Sequence, residues 1–231
     1  MLKFYRLSNN RQITKFESIT KQDCLKNFIE IFGKENLFII ADNVKEESIV
    51  FINQLNIKYE KISLGNSGSF IYALDRAVMQ NNDEEIVYFV EDDYLHLSIA
   101  PKLIEEGIRF SDYISLYDHP DKYMGLGENN PYPNLFVKDG GEDTKVIISE
   151  SSHWKFTNST TMTFASKVKT LKKDYEILKK HCNLMTGFPH DFEMFCELRE
   201  KGRKLITPIP ACSTHCDSRY LSPFVDWKKL C

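Results

Sequence analysis

The protein has 231 residues, of which 42% are hydrophobic and 27% are charged, and its formal net charge is -3 at pH 7. A chain of this length buries a substantial core, as one large domain or two small ones, and we expect one. Because acidic and basic residues nearly cancel, no overall basic field favours a nucleic-acid partner or an anionic membrane. We therefore expect no nucleic-acid partner and a substrate that is recognised locally.

Two features bear on the cellular compartment. No apolar run approaches the roughly 20 residues that cross a bilayer, so we expect no transmembrane segment, and the N-terminus lacks the apolar core of a signal peptide. Both observations predict a cytoplasmic protein. The cysteines have no C-x-x-C spacing, which favours reduced thiols, although Cys212, His215 and Cys216 keep a zinc site as an alternative.

The first predicted element is a strand over 2–7, which leads into a polar turn containing Arg6, Ser8 and Arg11. Open α/β sheets bind ligands at the carboxyl ends of their strands. These side chains are therefore candidates for contacting a phosphate or a nucleobase, with solvated surface arginines as the alternative.

A helix is predicted next, because Thr20 and Asp23 form a capping-box pattern ahead of apolar residues at helical spacing. The buried strand predicted over 37–41 closes with Asp42. We expect this aspartate either to contact a nucleobase or ribose, or to cap the helix that begins near Glu46.

A third strand, predicted over 59–64, leads into a turn of small residues over 65–69 and then into a helix. Small residues let the backbone approach a ligand closely, and the free N–H groups of a helix start favour an anion. Gly65 and Ser67 are therefore candidate binding residues. The alternation of strands and helices up to Asp93 predicts an α/β fold with a largely parallel sheet.

The next strand is predicted over 86–90, and it ends in the three carboxylates of Glu91, Asp92 and Asp93. Its apolar residues indicate burial on both faces, and side chains alternate, so Asp92 is expected to point away from the other two. Three anions repel unless a cation lies among them. Carboxylate oxygens suit Mg²⁺ or Mn²⁺, which indicates a diphosphate substrate; a solvated loop start is the alternative.

A helix begins near Pro101, and a further strand is predicted over 113–117. Residues 118–143 then lose regular patterning, which is typical of a lid or a binding loop. We expect the aromatic residues of this loop either to stack on a sugar ring or to pack the loop down; they include Tyr123, Tyr132 and Phe136.

Later strands are predicted over 145–149 and 155–164, followed by an amphipathic helix over 168–178. Trp154 is either a platform for a sugar or a core residue. Another helix begins at Asp191, with Phe192, Phe195 and Cys196 as its expected apolar face. An aspartate is favourable at a helix start on electrostatic grounds alone, so this position does not by itself indicate chemistry.

Three segments resemble, in the correct order, those of nucleotide-sugar-dependent glycosyltransferases of the GT-A fold. The acidic triplet 91–93 resembles the D-x-D motif, residues 190–195 resemble the E-D-x-x-x-W-type helix start, and His215 resembles the C-terminal histidine that completes metal coordination. The resemblance covers most of the chain and is closest to compact, family-2-like enzymes of a kind that phages also encode. It implies a single Rossmann-related GT-A-like domain, in the host cytoplasm if the protein is viral.

The resemblance also implies a division of labour, with a nucleotide-binding half over 1–117 and an acceptor-binding and catalytic half over 118–231. The expected reaction is metal-dependent transfer of a sugar from a nucleoside-diphosphate sugar, with a UDP-hexose as the expected donor, to a hydroxyl of a glycan or other acceptor. Asp93 and His215 would hold Mn²⁺ or Mg²⁺ against the departing diphosphate. Asp191 would be the general base of an inverting reaction.

The remaining roles follow from the same resemblance. Glu91 and Asp92 would hold the ribose or a metal-bound water. The other expected donor contacts are Arg6, Ser8, Arg11, Asp42, Gly65 and Ser67, and the expected acceptor contacts are Trp154 and His190.

Two positions depart from the family pattern. Glu91 stands where the D-x-D motif has its first aspartate, and His190 stands where the helix motif has glutamate, which leaves Asp191 as the only match to the catalytic carboxylate. A retaining glycosyltransferase, a nucleotidyltransferase and a non-catalytic carbohydrate-binding module remain alternatives. The turn over 6–11 lacks the glycine of a nucleotidyltransferase loop, and His215 argues against a calcium site.

Overall fold

The computed structural model of the protein describes residues 1–9, 19–123, 137–138, 141–142 and 144–230. The helices are α1 (Lys21–Phe32), α2 (Glu46–Leu55), α3 (Gly65–Val78), α4 (Ala100–Gly107), α5 (Val168–Lys180) and α6 (Asp191–Glu200). The strands are β1 (Leu2–Ser8), β2 (Leu37–Asp42), β3 (Tyr59–Ile62), β4 (Ile86–Glu91), β5 (Tyr94–His96), β6 (Tyr113–Ile114), β7 (Val137–Lys138), β8 (Gly141–Glu142), β9 (Val146–Ile148), β10 (His153–Thr157), β11 (Phe164–Lys167), β12 (Leu205–Ile209) and β13 (Ser213–His215).

Nine strands form one sheet in the order β3-β2-β1-β4-β11-β6-β12-β10-β9. The block β3-β2-β1-β4 is parallel throughout, β6 and β12 also pair in parallel, and β11 and β10 run antiparallel to their neighbours. This architecture confirms the predicted α/β fold class. Because β4 pairs with β11, a single sheet contains strands from both of the expected halves.

Helices cover both faces of the sheet, and the alternation of side chains along each strand assigns residues to one face or the other. Tyr5 of β1 and Tyr88 of β4 pack with residues of α1, α2 and α4. Phe4 and Phe89, one position away on the same strands, stack on each other and pack with residues of α3, α5 and α6. The central strands are therefore buried on both faces, as the sequence predicts.

The structure confirms the helix-start signals that the sequence predicts for α1 and α4. Thr20 caps α1 through its hydroxyl, which accepts a hydrogen bond from the Asp23 amide, and the Asp23 carboxylate accepts one from the Thr20 amide. Gly33 follows the helix with a φ of 69°, a conformation that favours glycine. Pro101 lies in the first turn of α4. In the part of the chain that the structure describes, no helix combines the length and apolarity needed to cross a membrane.

Two predicted segments differ in the structure. The small residues 65–69 form the first turns of α3 rather than a turn ahead of it. The predicted strand over 155–164 is instead two strands, β10 and β11, and hydroxyl groups at and after the end of β10 bond to nearby backbone amides. The amide of Ser159 donates to Thr157 Oγ1, and the amide of Thr163 donates to Thr161 Oγ1.

The apolar face of α6 also differs from the prediction. Met194, Phe195 and Leu198 are its buried residues, whereas Phe192 and Cys196 are only partly buried. The strand predicted over 113–117 is limited to β6, because the hydroxyl of Ser115 bonds to the backbone of Tyr117. The first difference arises from tertiary packing, which sequence periodicity over a few residues does not determine, and the second from a local hydrogen bond.

Candidate functional site

A cleft of about 700 Å³ opens at the carboxyl ends of the parallel strands. Most of the predicted site residues line it, and the full lining is Arg6, Leu7, Ser8, Lys21, Asp42, Gly65, Asn66, Ser69, Glu91, Asp92, Asp93, Tyr94, Thr161, Met162, Gly187, Phe188, Pro189, Asp191 and His215. The cleft thus draws on both ends of the sequence, as expected for a ligand site in an open α/β sheet.

The three consecutive carboxylates at the end of β4, Glu91, Asp92 and Asp93, are called the acidic cluster below. The chain turns at Asp92 and Asp93 and continues as β5, which pairs antiparallel with β13. In that pairing His215 lies opposite Tyr94, and its Nε2 comes within 3.1 Å of Asp93 Oδ2. The amide of Cys216 also donates to the Asp93 carbonyl at 2.8 Å, which fixes the two segments together.

Each carboxylate of the acidic cluster has a cation of the chain beside it. Glu91 Oε1 lies 3.1 Å from Arg6 Nη2, and Asp92 Oδ2 accepts hydrogen bonds from Lys21 Nζ at 2.8 Å and the Ser8 amide at 2.6 Å. Asp92 thus turns toward β1 and α1, whereas Asp93 turns toward β13. The positive charge that the sequence predicts among these anions is therefore supplied in part by side chains of the protein itself.

Burial and charge shift the proton affinities in this cluster. Burial raises the pKa of Asp92 to about 6, although Lys21 and the Ser8 amide act in the opposite direction. Burial also raises the pKa of Glu91, against the effect of Arg6. Burial lowers the pKa of His215, but the charge and hydrogen bond of Asp93 together with the charges of Glu91 and Cys216 outweigh burial and raise it to about 9. This shift favours a protonated imidazole beside the Asp93 carboxylate.

Asp93 Oδ2 and His215 Nε2 are the side-chain atoms that would hold a divalent cation here, and their separation of 3.1 Å is equally that of a direct hydrogen bond. Among the described residues no group of three or more His, Cys, Asp or Glu side chains is arranged to hold a metal. Such an ion would therefore need water and substrate oxygens to complete its shell, as Mg²⁺ commonly does.

Arg6 joins three elements at the floor of the cleft. Its Nη1 donates to both the carbonyl and the side-chain oxygen of Asn66 in the first turn of α3, and its guanidinium lies over the ring of Phe70. With Glu91 on its other side, this buried arginine holds β1, β4 and α3 together. Ser8 lies next along the strand and contributes its amide to Asp92.

Asp42 supports the start of α3 rather than capping α2. Its Oδ1 accepts hydrogen bonds from the amides of Leu64 at 2.6 Å and Gly65 at 3.1 Å, and no side chain caps α2 at Lys45. The capping alternative for Asp42 is therefore wrong. Since Asp42 and Gly65 both line the cleft, a contact with a nucleobase or ribose stays a prediction.

Three predicted site residues lie elsewhere. Ser67 is buried under the cleft lining, and its amide donates to the carbonyl of Gly187. Trp154 is fully buried in the core, with its Nε1 donating to Ser149 Oγ, so the prediction of a sugar platform is wrong and the core interpretation is confirmed. His190 precedes α6 outside the cleft lining, and its side chain is 47% exposed, with Nδ1 4.0 Å from Glu193 Oε1.

Asp191 is the first residue of α6 and lines the cleft. Its Oδ1 accepts a hydrogen bond from the Phe192 amide at 2.8 Å, which holds the carboxylate at the helix start. Predicted residues Arg11, Tyr132 and Phe136 lie outside the described residues. Tyr123 is described, and its ring packs against the ammonium group of Lys155.

Lys21 and Tyr94 are among the lining residues that sequence analysis does not predict. Lys21 reaches Asp92 across 71 positions of the chain, and nothing local distinguishes it from any other first-turn lysine. Tyr94 stacks on the imidazole of His215 with ring centroids 5.3 Å apart, and its hydroxyl donates to Thr161 Oγ1 at 2.7 Å. Its position directly after the acidic cluster was the available signal, because a strand ending at a site continues into residues that line it.

Comparison with known proteins gives a fold and no family. No protein-family model and no curated protein sequence matches the chain. Among solved structures, a cytidylyltransferase from Leptospira borgpetersenii has a TM-score of 0.52 at 14% identity, over 99% of this chain and 84% of that one. The galactosyltransferase LgtC, solved with donor and acceptor sugar analogues, has a TM-score of 0.49 at 8% identity, over 90% and 73%.

A third structure, residues 1–349 of TarS from S. aureus, has a TM-score of 0.47 at 13% identity, over 90% of this chain and 58% of that one. Identities this low indicate a likeness of fold alone. The likeness to the cytidylyltransferase agrees with the α/β architecture described above. The chemistry of this chain has to be argued from its own cleft.

Proposed function

We propose that the protein is a glycosyltransferase that moves a sugar from a nucleoside-diphosphate sugar, a UDP-hexose in the first instance, to a hydroxyl acceptor. The observation that carries this proposal is the contact between Asp93 and His215 at the carboxyl edge of the sheet, in a cleft that also contains Asp191. A leaving diphosphate needs charge neutralisation at one place, and the attacking hydroxyl needs a proton acceptor at another.

Asp93 and His215 would hold Mn²⁺ or Mg²⁺. When bound, the ion supplies Lewis-acid neutralisation of the charge that develops on the diphosphate. Tyr94 orients the imidazole by stacking on it, and Asp93 fixes it from the side. His215 has to give up its proton to coordinate, so the protonated imidazole and the ion are alternative cations for the same carboxylate.

The donor's nucleoside and phosphates would occupy the side of the cleft formed by β1, β2 and α3. Gly65 and Asn66 form the first turn of α3 and line the cleft at the positive end of this helix, where Asp42 already accepts hydrogen bonds from the Leu64 and Gly65 amides. Arg6 adds a buried positive charge next to this turn. Asp42 and Ser8, at the ends of the neighbouring strands, are the proposed contacts for ribose or base.

Asp191 would act as the general base of an inverting transfer. The positive end of α6 stabilises its charged form, and the hydrogen bond from the Phe192 amide restricts its position. The carboxylate would accept the proton of the acceptor hydroxyl as that oxygen bonds to the anomeric carbon and the bond to the diphosphate breaks. The sequence around Asp191 and its place in the cleft support this role together.

A nucleotidyltransferase is the second candidate, because a solved cytidylyltransferase resembles this chain with a TM-score of 0.52. Such an enzyme would join a nucleoside triphosphate to a sugar phosphate or sugar acid and release pyrophosphate. Both reactions need a nucleotide-binding sheet and carboxylates that hold a cation. They differ in the leaving group, which is a nucleoside diphosphate in glycosyl transfer and pyrophosphate in nucleotidyl transfer.

The test is binding followed by product analysis. Calorimetry with UDP, GDP, ADP and CDP, with and without Mn²⁺, is expected to give metal-dependent binding of one diphosphate. Incubation with the matching nucleotide sugar is then expected to release the nucleoside diphosphate. Pyrophosphate release from a nucleoside triphosphate and a sugar phosphate would favour the nucleotidyltransferase, and failure of every nucleotide to bind would reject both.

A further inference from the structure

Two buried cysteine side chains meet next to the cleft. Cys24 Sγ, in α1, lies 3.9 Å from Cys216 Sγ, directly after β13, although 192 positions separate the two residues in the chain. Only 1% of Cys24 and 2% of Cys216 is exposed. The hydrogen bond between the thiols is the largest cause that raises the pKa of Cys24, and burial adds to it. The fold thus places two free thiols in direct contact.

The backbone on both sides holds this thiol pair in place. The Cys24 amide donates to the Thr20 carbonyl at 3.1 Å in the capped first turn of α1, and the Cys216 amide donates to the Asp93 carbonyl at 2.8 Å. The thiols share a small apolar cluster, whose other fully buried members are Ile19, Leu95 and Trp227. An oxidant that reaches the pair therefore has to be small, because this cluster excludes bulky molecules.

A disulfide between the two cysteines needs only a short movement. Bonded sulfur atoms lie about 2.05 Å apart, so the two Sγ atoms have to approach each other by about 1.9 Å. Rotation of both side chains about their Cα–Cβ bonds, together with a small shift of α1 toward the end of β13, supplies a movement of this size. Because β13 pairs with β5 in a separate two-stranded sheet, the shift leaves the pairing of the nine-stranded sheet unchanged.

The chemistry balances with hydrogen peroxide as the oxidant. One thiolate sulfur attacks a peroxide oxygen, the O–O bond breaks, and a sulfenic acid and one water form. The second sulfur then attacks the sulfenic sulfur, the S–S bond forms, and the oxygen leaves as a second water. Two thiols are thereby oxidised to one disulfide, and one hydrogen peroxide is reduced to two waters. Burial makes the first step slow, so the pair stays reduced unless the oxidant persists.

The bond would join the two segments that hold the acidic cluster. Lys21, three positions before the first cysteine of the pair, donates from Nζ to Asp92 Oδ2. His215 directly precedes the second cysteine, and its Nε2 lies 3.1 Å from Asp93 Oδ2. Movement of either segment toward the other therefore changes the position of a side chain that contacts the cluster, and a misplacement of about 1 Å in a site can cost about a hundredfold in rate.

We propose that Cys24 and Cys216 form a reversible disulfide in the presence of hydrogen peroxide, and that this disulfide converts the cleft to a less active form. The disulfide rests on the thiol pair alone. Its effect on turnover rests on the proposed function, since it acts through the contact between Asp93 and His215.

The first experiment maps the disulfide. The full chain is incubated with excess hydrogen peroxide, the remaining thiols are blocked with iodoacetamide, and the protein is digested with trypsin without reduction. The tryptic peptides 22–26 and 205–219 are expected as one linked species that dithiothreitol separates. Because peptide 205–219 also contains Cys212, fragmentation between its two cysteines identifies the bonded sulfur.

Three variants accompany the parent. Cys24→Ala, at a helical position that suits alanine, should abolish the link, and Cys216→Ala should do the same from the other side, so the result does not depend on one substitution. The matched control is Cys182→Ala, which removes another buried cysteine, in the core cluster of α3, α5 and α6, and should keep the link. Absence of the link in the treated parent, or bonding of either sulfur to Cys212 or Cys231 instead, would overturn the disulfide.

The second experiment measures turnover of the nucleotide sugar by the same samples. Oxidation is expected to lower turnover by the parent about tenfold, because the site is displaced, whereas Cys24→Ala should lose no turnover on the same treatment. Dithiothreitol should restore the parent, which separates the disulfide from methionine sulfoxide and sulfinic acid. A linked protein with unchanged turnover would reject the switch. A linked protein without turnover in either redox state would reject the proposed function and leave the disulfide standing, and turnover without the link would do the opposite.

Discussion

His215 Nε2 lies 3.1 Å from Asp93 Oδ2 although 122 positions separate the two residues in the chain. The antiparallel pairing of β5 with β13 creates this contact, and the Cys216 amide reinforces it. A carboxylate and an imidazole at this separation either share a proton or share a cation. Both possibilities make the pair sensitive to the removal of either partner.

Replacement of Asp93 tests the proposed metal site. We expect Asp93→Ala to reduce metal-dependent donor turnover by roughly a hundredfold or more, because the charge on the leaving diphosphate loses its neutralising ion. Electron paramagnetic resonance of bound Mn²⁺ should show the loss directly. Asp226→Ala, which removes an exposed carboxylate outside the cleft, is the control. Full turnover in Asp93→Ala would exclude the metal assignment.

Replacement of Asp191 tests the proposed base. We expect Asp191→Asn to lower kcat by about 10² to 10⁴-fold while the affinity for the nucleoside diphosphate stays unchanged, because proton removal from the acceptor is lost but the donor contacts remain. Steady-state kinetics and calorimetry on the same preparation separate the two effects. Glu193→Gln, in the same helical turn and exposed, serves as the control. A kcat equal to that of the parent would contradict the assignment.

The ion pair between Lys21 and Asp92 should contribute to stability as well as to site geometry. Both side chains are largely buried, so Lys21→Met would leave a buried carboxylate without its cation and should lower the free energy of unfolding by about 3 kcal/mol. The double variant Lys21→Met/Asp92→Asn should recover part of this loss, since the uncompensated charge is gone. Urea unfolding measures all three proteins. An undiminished unfolding free energy in Lys21→Met would show that the pair is only a surface contact.

His96 predicts a pH dependence that is independent of the cleft. It is fully buried between Phe28, Phe32 and Tyr88, with its Nε2 2.7 Å from the Tyr88 hydroxyl, and burial lowers its pKa to about 3. The unfolded chain binds a proton at His96 below about pH 6.5, whereas the folded chain does so only near pH 3. The stability associated with this group is therefore present above pH 6.5 and is lost as the pH falls.

The size of this effect follows from linkage, at about 1.4 kcal/mol per pH unit below pH 6.5. We expect the difference in unfolding free energy between the parent and His96→Gln to shrink by about 2 kcal/mol between pH 7 and pH 5. Urea titrations at the two pH values measure it. A difference that does not change with pH would mean that His96 is protonated in the folded protein as readily as in the unfolded one.

The sequence predicts those parts of the molecule that depend on residues close together in the chain. The capping box at Thr20, the buried strand over 86–90 and the acidic cluster at its end are all local patterns, and the structure contains each of them. The resemblance to the D-x-D motif and to the C-terminal histidine also predicts Asp93 and His215 at one site, and the pairing of β5 with β13 in a separate two-stranded sheet brings them into one cleft.

Other assignments fail because distant contacts determine them. Trp154 has the aromatic side chain expected of a sugar-binding platform, but its ring packs against Gly107 and Ile114 in the core. Asp42 accepts hydrogen bonds from the amides of Leu64 and Gly65, and the sequence gives no sign that these residues lie near it. Lys21 carries no local signal, since its partner is set by how α1 packs against β4.

The pairing of each carboxylate in the acidic cluster with Arg6, Lys21 or His215 affects how quickly a ligand arrives. Those three pairs balance one another, but Asp42 and Asp191 also line the cleft, so an approaching diphosphate meets a local field that is net negative when no cation is bound. Salt screens this repulsion, so association of the free diphosphate should become faster as the ionic strength rises. A ligand that arrives together with a divalent cation would be spared most of this repulsion.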